Sequence, residues 1–427
     1  MKLLSKLTGQ SGNDDKKIGE FFGLRELTLF SGGNFIAQFI MMVYAVLVAR
    51  LLGPEKLGIY SGLYAILGVS ITFVNFGLDL WMLKEAHTQS SLRELTGKVM
   101  QIKLLLSTVW GVACLVFLPI TGSGHFTVSL VLLGIGDVFA DVLLNTLITS
   151  WNIQRRVKRI NIFLLLSRTG KLLLLFVLAW LQKVDPSTVM LTRFVVSTII
   201  LSFALSISKP KLSKIHLGDS FGTLRKAAAF GYSEILAMIY ANIDVAILSY
   251  FSITNTGLYS PASGIVHALF VIPTSVHAFL LPQFTKMIFT GELNTKRHLY
   301  HLLVSLFLAI GITLTISVFT LGPVFATHVL GGNFVESGNI MRLLSPILLF
   351  KSISLGLAVI IIAEGLQKKR LIPQLVVAFL TVVLNLIFIP RFGVTSVALI
   401  YLLGEFFLMV GYLVIILRNR NEEKANN

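Results

Sequence analysis

Long apolar runs recur along the whole chain, separated by short polar segments. A bilayer core requires about 20 consecutive apolar residues per helix. Twelve segments meet that length, at roughly 27–49, 59–82, 102–119, 127–150, 160–181, 188–207, 228–250, 256–282, 300–321, 340–363, 372–389 and 393–417. The strands of an outer-membrane barrel alternate apolar and polar positions, and these runs do not. The pattern therefore predicts an all-α polytopic membrane protein with twelve transmembrane helices. The first 26 residues are polar and lack a short apolar stretch with a small-residue cleavage site, so no removable signal peptide is expected. The longest segment between spans on the outer side covers 321–339, too short for a catalytic domain, and no enzyme activity is expected.

Composition agrees. Of 427 residues, 55% are hydrophobic and 13% charged, against about 25% charged in a soluble domain, and the mean hydropathy is +0.83. That excludes a soluble enzyme, a disordered chain and a disulfide scaffold. The single cysteine, Cys114, has no partner within the chain, and no Cys/His cluster has zinc-ligand spacing, so neither metal nor cofactor is expected. The net charge of +16 would suggest nucleic acid in a soluble protein. Here its placement explains it. With the N-terminus inside, inner segments hold 27 Lys and Arg, with Lys103 at the very start of the third span counted among them, outer segments hold only Arg50, Lys56, Lys183 and Arg391, and the other five cations lie within spans. Such a bias over short loops sets orientation and predicts both termini in the cytoplasm of a multi-pass protein, with no nucleic-acid partner.

The two halves resemble each other. Leu24-Arg25 with Phe30 matches Leu224-Arg225 with Phe230, and Gly58-Ile59-Tyr60-Ser61 matches Gly257-Leu258-Tyr259-Ser260. Gln154-Arg155-Arg156 and Gln367-Lys368-Lys369 follow spans 4 and 10. Six spans precede the repeat, so both halves share one orientation, which implies parallel lobes related by a pseudo-two-fold axis along the membrane normal. The predicted organisation is a cytoplasmic segment 1–26, an N-terminal six-helix lobe 27–207, a basic linker 208–227, a C-terminal six-helix lobe 228–417 and a tail 418–427. Basic amphipathic stretches at Leu224–Phe230 and around Arg93–Lys98 are expected to meet anionic membrane lipid.

The segment Ala49-Arg50-Leu51-Leu52-Gly53-Pro54-Glu55-Lys56-Leu57-Gly58-Ile59-Tyr60 resembles the turn between the first two helices of the polysaccharide transport family. That family holds the O-antigen and capsule repeat-unit flippases of the multidrug/oligosaccharidyl-lipid/polysaccharide exporter superfamily. Asn75-Phe76-Gly77-Leu78-Asp79 resembles its end of helix 2, and Pro390-Arg391-Phe392-Gly393-Val394 its turn before the last helix. The resemblance spans all twelve helices. It implies a flippase of the bacterial inner membrane that carries undecaprenyl-diphosphate-linked oligosaccharide for polysaccharide and lipopolysaccharide biosynthesis. Its implied partners are the lipid-linked oligosaccharide, membrane lipid, a polysaccharide polymerase and chain-length components. Peptidoglycan-precursor flippases of the superfamily usually have fourteen helices, while its drug/cation antiporters have twelve and remain an alternative. Independently of the family, Gly53-Pro54 suits a tight turn and Gly58 suits close helix packing.

An ionisable residue at a helix centre costs about 2.5–3.5 kcal/mol on insertion scales and normally faces protein or a water-filled cavity. The cations inside spans are Arg168, Lys171, Arg193, Arg342 and Lys351. In one reading each pairs with an acid and fixes packing. In the other they bind a lipid-linked diphosphate, with Lys171 and Lys351 as a clamp contributed by the two lobes and Arg193 and Arg342 near the outer ends. Asp137, Asp141 and Asn145 form one stripe on span 4, and Asp137, Asp141 and Glu405 are candidate ion-coupling acids. No phosphate-binding glycine-rich loop is present, so an ion gradient is the expected drive. A cation antiporter would need an acid-lined cavity, and a membrane-embedded glycan polymerase or ligase would need catalytic residues in a large outer loop. Reporter fusions test the topology: those at Gly124 and Gly332 are expected outside, those at Lys158 and Lys369 inside, and one reversed site overturns the assignment.

Overall fold

The computed structural model describes residues 24–86, 91–121, 125–181, 184–212, 217–290 and 293–426, and helices account for nearly all of them. In the N-terminal half, α1 (Leu24–Ser70) is followed by α2 (Thr72–Asn75), α3 (Leu78–Glu85), α4 (Leu92–Thr121), α5 (Val128–Ile153), α6 (Val157–Leu181) and α7 (Pro186–Ser208). In the C-terminal half come α8 (Leu217–Phe251), α9 (Ile253–Leu269), α10 (Val271–Thr290), α11 (Leu293–Phe325), α12 (Val335–Leu344), α13 (Pro346–Ala363) and α14 (Gln367–Asn426).

Nine helical segments among the described residues are long and apolar enough to cross a membrane. Two of them, Phe35–Glu85 and Gln367–Asn419, have 51 and 53 residues. At 1.5 Å per residue each would measure about 75 Å, more than twice a hydrocarbon core of about 30 Å. Each is bent at a glycine outside helical geometry, Gly53 (φ 67°, ψ 174°) or Gly393 (φ 58°, ψ −140°), and each supplies two spans. The short apolar segment Asn242–Phe251 at the end of α8 brings the count to twelve, six in each lobe.

Several boundaries differ from the sequence pattern. The expected linker 208–227 is not a separate segment, because α8 already begins at Leu217. On its apolar face Ala227 is buried, and Leu224 and Phe230 pack against a cluster of Leu78, Trp81, Met82, Leu95 and Val99 from the N-terminal lobe, while Arg225 and Lys226 are exposed. Before it, the Lys211 N–H donates to Arg93 O at 3.1 Å and Lys211 Nζ to Glu94 Oε1 at 2.7 Å. The Glu94 carboxylate raises the lysine above its ordinary pKa, chiefly through this hydrogen bond. The expected outer loop 321–339 is helical almost throughout: α11 continues to Phe325, then a π turn covers Ala326–Leu330 and a 3-10 turn Gly332–Phe334. Spans 8 and 10 are each split, at Phe270 and at Ser345.

The internal repeat is visible in hydrogen bonds. After α5, Gln154 N–H donates to Ser150 O, Arg155 N–H to Asn152 O and Arg156 N–H to Trp151 O, with Arg155 at φ 55°. After α13, Glu364 donates to Ile360 O, Gly365 to Ile362 O and Leu366 to Ile361 O, with Gly365 at φ 74°. The same left-handed helix stop thus closes span 4 and span 10 at an offset of 210. The match of Gln154 to Gln367 was three residues out of register.

The lobes meet backbone to backbone. A Cβ on Gly58 would strike the Ile253 carbonyl, and a Cβ on Gly257 would strike the Pro54 carbonyl. Each residue stands 199 positions from its counterpart, so the two contacts are one contact repeated by the pseudo-two-fold. Around them Leu52, Leu57, Leu248, Leu258 and Tyr259 form part of the largest core cluster. Overpacking such a site costs about 1–3 kcal/mol. Gly58→Ala and Gly257→Ala are expected to lower the thermal unfolding temperature of the purified protein by similar amounts. Gly222→Ala, where the added methyl meets nothing within 4 Å, should leave it unchanged.

Candidate substrate cavity between the lobes

Below the glycine contact the lobes part around a cavity of about 460 Å³, within the ordinary range for small-ligand sites. The N-terminal lobe supplies Tyr60, Ser61 and Tyr64 from α1, Asp141 and Asn145 from α5, and Arg168 from α6. The C-terminal lobe supplies Met238 and Asn242 from α8, and Ser260, Ser263 and His267 from α9. The expected stripe on span 4 is real and graded in depth. Asp137 is buried, Asp141 is partly exposed at the cavity wall, and Asn145 is exposed to the cavity.

Behind the wall lies a buried ionic cluster. Arg193 Nε reaches Asp137 Oδ2 at 2.7 Å, and Lys171 Nζ lies 3.3 Å from both Asp137 Oδ1 and Asp141 Oδ2. Ser197 Oγ donates to Asp137 Oδ1 at 2.6 Å, and lies 3.1 Å from Asp141 Oδ1. The remaining Arg193 nitrogens donate to Tyr60 Oη at 3.3 Å and Tyr64 Oη at 2.6 Å. Those two rings are stacked 6.2 Å apart. Two acids and two cations cancel, which is what burial in a low-dielectric lobe requires. The cluster holds α1, α5, α6 and α7 together, and its outermost atoms form the cavity wall.

The structure separates the residues proposed as a clamp. Lys171 is buried in this cluster. Lys351 sits inside the other lobe with Nζ 2.8 Å from Glu405 Oε1 and lies 5.7 Å from the centre of the Phe270 ring. Neither is among the residues lining the cavity. Arg193 does not reach toward an outer end but is buried on Asp137. Arg342 is exposed at the end of α12, with Nε 3.3 Å from Phe319 O. Glu405 is fully buried, and its Oε2 makes no hydrogen bond among the described residues. Arg168 lines the cavity, and no carboxylate among the described residues pairs with it. Asp137 and Asp141, the acids nearest to it on span 4, pair instead with Lys171 and Arg193. His267 Nε2 lies 3.0 Å from Tyr401 Oη, and His277 Nδ1 3.0 Å from Leu355 O.

One ion pair escaped the sequence reading. Lys103 was counted with the loop cations, yet it is fully buried with Nζ 2.7 Å from Asp79 Oδ2, and Thr146 Oγ1 donates to Asp79 Oδ1 at 3.0 Å. Two charges near the ends of different spans gave no spacing signal, since only the packing of α3 on α4 and α5 brings them together.

Two lobes in contact at the ends of their spans, with a polar cavity between them, form a two-lobe architecture of the kind that membrane transporters use. The sequence profile of the family described as "Polysaccharide biosynthesis protein" matches residues 24–288, and the chain belongs to that family, within the polysaccharide transport branch of the multidrug/oligosaccharidyl-lipid/polysaccharide exporter superfamily. No curated protein sequence matches the chain. Among solved structures, "Lipid II flippase MurJ, inward closed conformation" is similar at TM-score 0.73 and 15% identity, over 91% of this chain and 87% of that one. An inward-facing multidrug resistance MATE family transporter is similar at TM-score 0.64 and 15% identity, over 94% and 96%. A transporter of the same superfamily from Pyrococcus furiosus, whose title notes a "reverse polarity of binding pocket", is similar at TM-score 0.58 and 15% identity, over 92% and 95%. At these identities the likeness is one of fold.

Removing one member of a buried ion pair strands its partner, at a cost of about 3–5 kcal/mol. Asp137→Asn leaves Arg193 and Lys171 under-compensated and is expected to lower the unfolding temperature sharply. Asp141→Asn, at the partly wet end of the cluster, should lower it far less. Equal shifts in a thermal melt of the two variants would contradict this division.

Proposed function

We propose that the protein is a flippase that moves undecaprenyl-diphosphate-linked oligosaccharide repeat units from the inner to the outer leaflet of a bacterial inner membrane, by alternating access, for cell-surface polysaccharide such as O-antigen. The observation that carries this reading is the sign of the cavity. Its acids are neutralised by Lys171 and Arg193 behind the wall, which leaves the Arg168 guanidinium as its uncompensated charge. A guanidinium presents paired donors suited to phosphate. The hydroxyls of Tyr60, Ser61, Ser260 and Ser263 and the amides of Asn145 and Asn242 supply neutral partners for sugar hydroxyls. The isoprenoid tail remains in lipid while the diphosphate crosses in this shielded space. The phosphate role first given to Lys171 and Lys351 passes to Arg168. Both termini lie in the cytoplasm on this reading, so the face rich in Lys and Arg receives the substrate. The family match and the likeness to lipid-linked and drug transporters support transport over enzymatic chemistry.

A cation antiporter of the same fold needs a cavity that attracts positive charge, which Arg168 opposes. Glu405 keeps Oε2 outside its ion pair, and Asp141 stands at the partly exposed end of its cluster; on this reading they are the acids available to couple transport to an ion gradient.

Farnesyl diphosphate, a short soluble analogue, tests the site. A hydrogen bond to a charged group contributes about 1.5–3 kcal/mol, so Arg168→Ala should weaken its binding to the purified protein about ten- to a hundredfold. Arg168→Lys is expected to recover part of it, and repeat-unit export in cells should follow the same order. Unchanged binding in Arg168→Ala, or tighter binding of a lipophilic organic cation than of the diphosphate, overturns the reading.

A further inference from the structure

The end of the cavity toward the Lys/Arg-rich face is closed where span 2 breaks. Helix α2 stops at Phe76 (φ 38°, ψ 38°), and α3 begins after Gly77 (φ 68°, ψ 10°). Two successive left-handed residues, one of them a phenylalanine, interrupt the helix and free the Gly77 N–H from any acceptor within it. That N–H points across the lobe boundary and donates to Glu234 Oε2 of α8 at 3.1 Å. A Cβ on Gly77 would strike Gly231 N, a Cβ on Gly231 would crowd the Phe76 carbonyl, and the Phe76 and Tyr232 rings meet edge to face at 5.9 Å. All of this lies at one crossing of the two lobes. The opposite end of the cavity is spanned by a different contact: Arg50 of the N-terminal lobe donates to His328 O at 2.6 Å and to Val329 O of the π turn in the C-terminal lobe.

We propose that the Glu234–Gly77 contact is the gate of the Lys/Arg-rich face, released when the Glu234 carboxylate leaves the Gly77 N–H and α8 swings away from α3. The side that moves follows from what holds each partner. Asp79 in the first turn of α3 is tied to Lys103 of α4 and Thr146 of α5, so α3 is fixed to its own lobe. Among the described residues, the Glu234 carboxylate is hydrogen-bonded to the other lobe through this one backbone donor. The Arg50 contact joins other elements at the other face, so it persists while this gate opens. The inference concerns access to the cavity and holds for any guest, so its failure leaves the diphosphate reading untouched, and the reverse is also true.

Labelling of the full chain in oriented membrane vesicles tests it. Asn145→Cys places a thiol on the cavity wall, and Cys114→Ala removes the native one. A membrane-impermeant maleimide is then applied from one face at a time. Loss of a hydrogen bond to a charged acceptor shifts an open–closed balance about ten- to a hundredfold, so Glu234→Ala should raise the labelling rate from the Lys/Arg-rich face by that factor. Glu234→Gln, whose amide oxygen still accepts from Gly77, should raise it less. Arg50→Ala should raise labelling from the opposite face alone. An unchanged rate in Glu234→Ala, or an equal rise from both faces, overturns the proposal. Phe76→Cys with Tyr232→Cys supplies an arm independent of Glu234. Oxidation should lock the gate and abolish labelling from the Lys/Arg-rich face, and reduction should restore it. Equal labelling of the oxidised and reduced forms would show that this crossing does not open.

Discussion

Two glycines that leave room for the other lobe's backbone set the geometry of everything else. Gly58 lies against the Ile253 carbonyl and Gly257 against the Pro54 carbonyl, and no side chain fits in either place. Apolar burial does not drive helices together within lipid as it does in water, so close approach depends on small residues that let backbones touch. Because the contact is made twice by equivalent residues, it lies on the pseudo-two-fold axis. The lobes are joined there, and the cavity forms where their helices diverge from it.

The second constraint is electrical. A lobe that buries Asp137, Lys171 and Arg193 away from water must compensate them internally, and it does so within hydrogen-bond distance. The same is true of Asp79 with Lys103, and of Glu405 with Lys351. Once these pairs are closed, Arg168 is left facing the cavity. Most intramembrane charge in this protein is therefore structural, and the character of the cavity rests on one side chain standing outside that bookkeeping.

Much of the architecture could be read from the sequence because length carries it. Runs of about twenty apolar residues admit few other solutions, and Gly58 was legible as a site of close helix packing, although nothing in the motif said that the lobes meet there. The division of labour among the charged residues could not be read in the same way. Arg168 and Lys171 are three apart on one helix, yet the first lines the cavity and the second is buried on two aspartates. That difference depends on the rotation of α6 against α5 and α7, which hydrophobicity does not encode in a helix apolar on nearly every side. Lys103 was misplaced for the same reason. The linker was misread because its charges masked Ala227 and Leu224, which pack on the other lobe.

The two lobes are not equal in length. From Gly58 to its counterpart the offset is 199 residues, and at the helix stops after spans 4 and 10 it has grown to 210. The growth comes in steps. Helix α11 has 33 residues where α4 has 30, the π and 3-10 turns lengthen the connection that follows, and α12 and α13, with 10 and 18 residues joined at Ser345, replace the 26 of α5. The added turns of the C-terminal lobe lie on the face poor in Lys and Arg, and Arg50 reaches onto them. The position equivalent to Arg50 is Ser249, so the duplicated half has no matching arm. A machine assembled from two copies of one part has in this way acquired a top and a bottom, which any vectorial process requires.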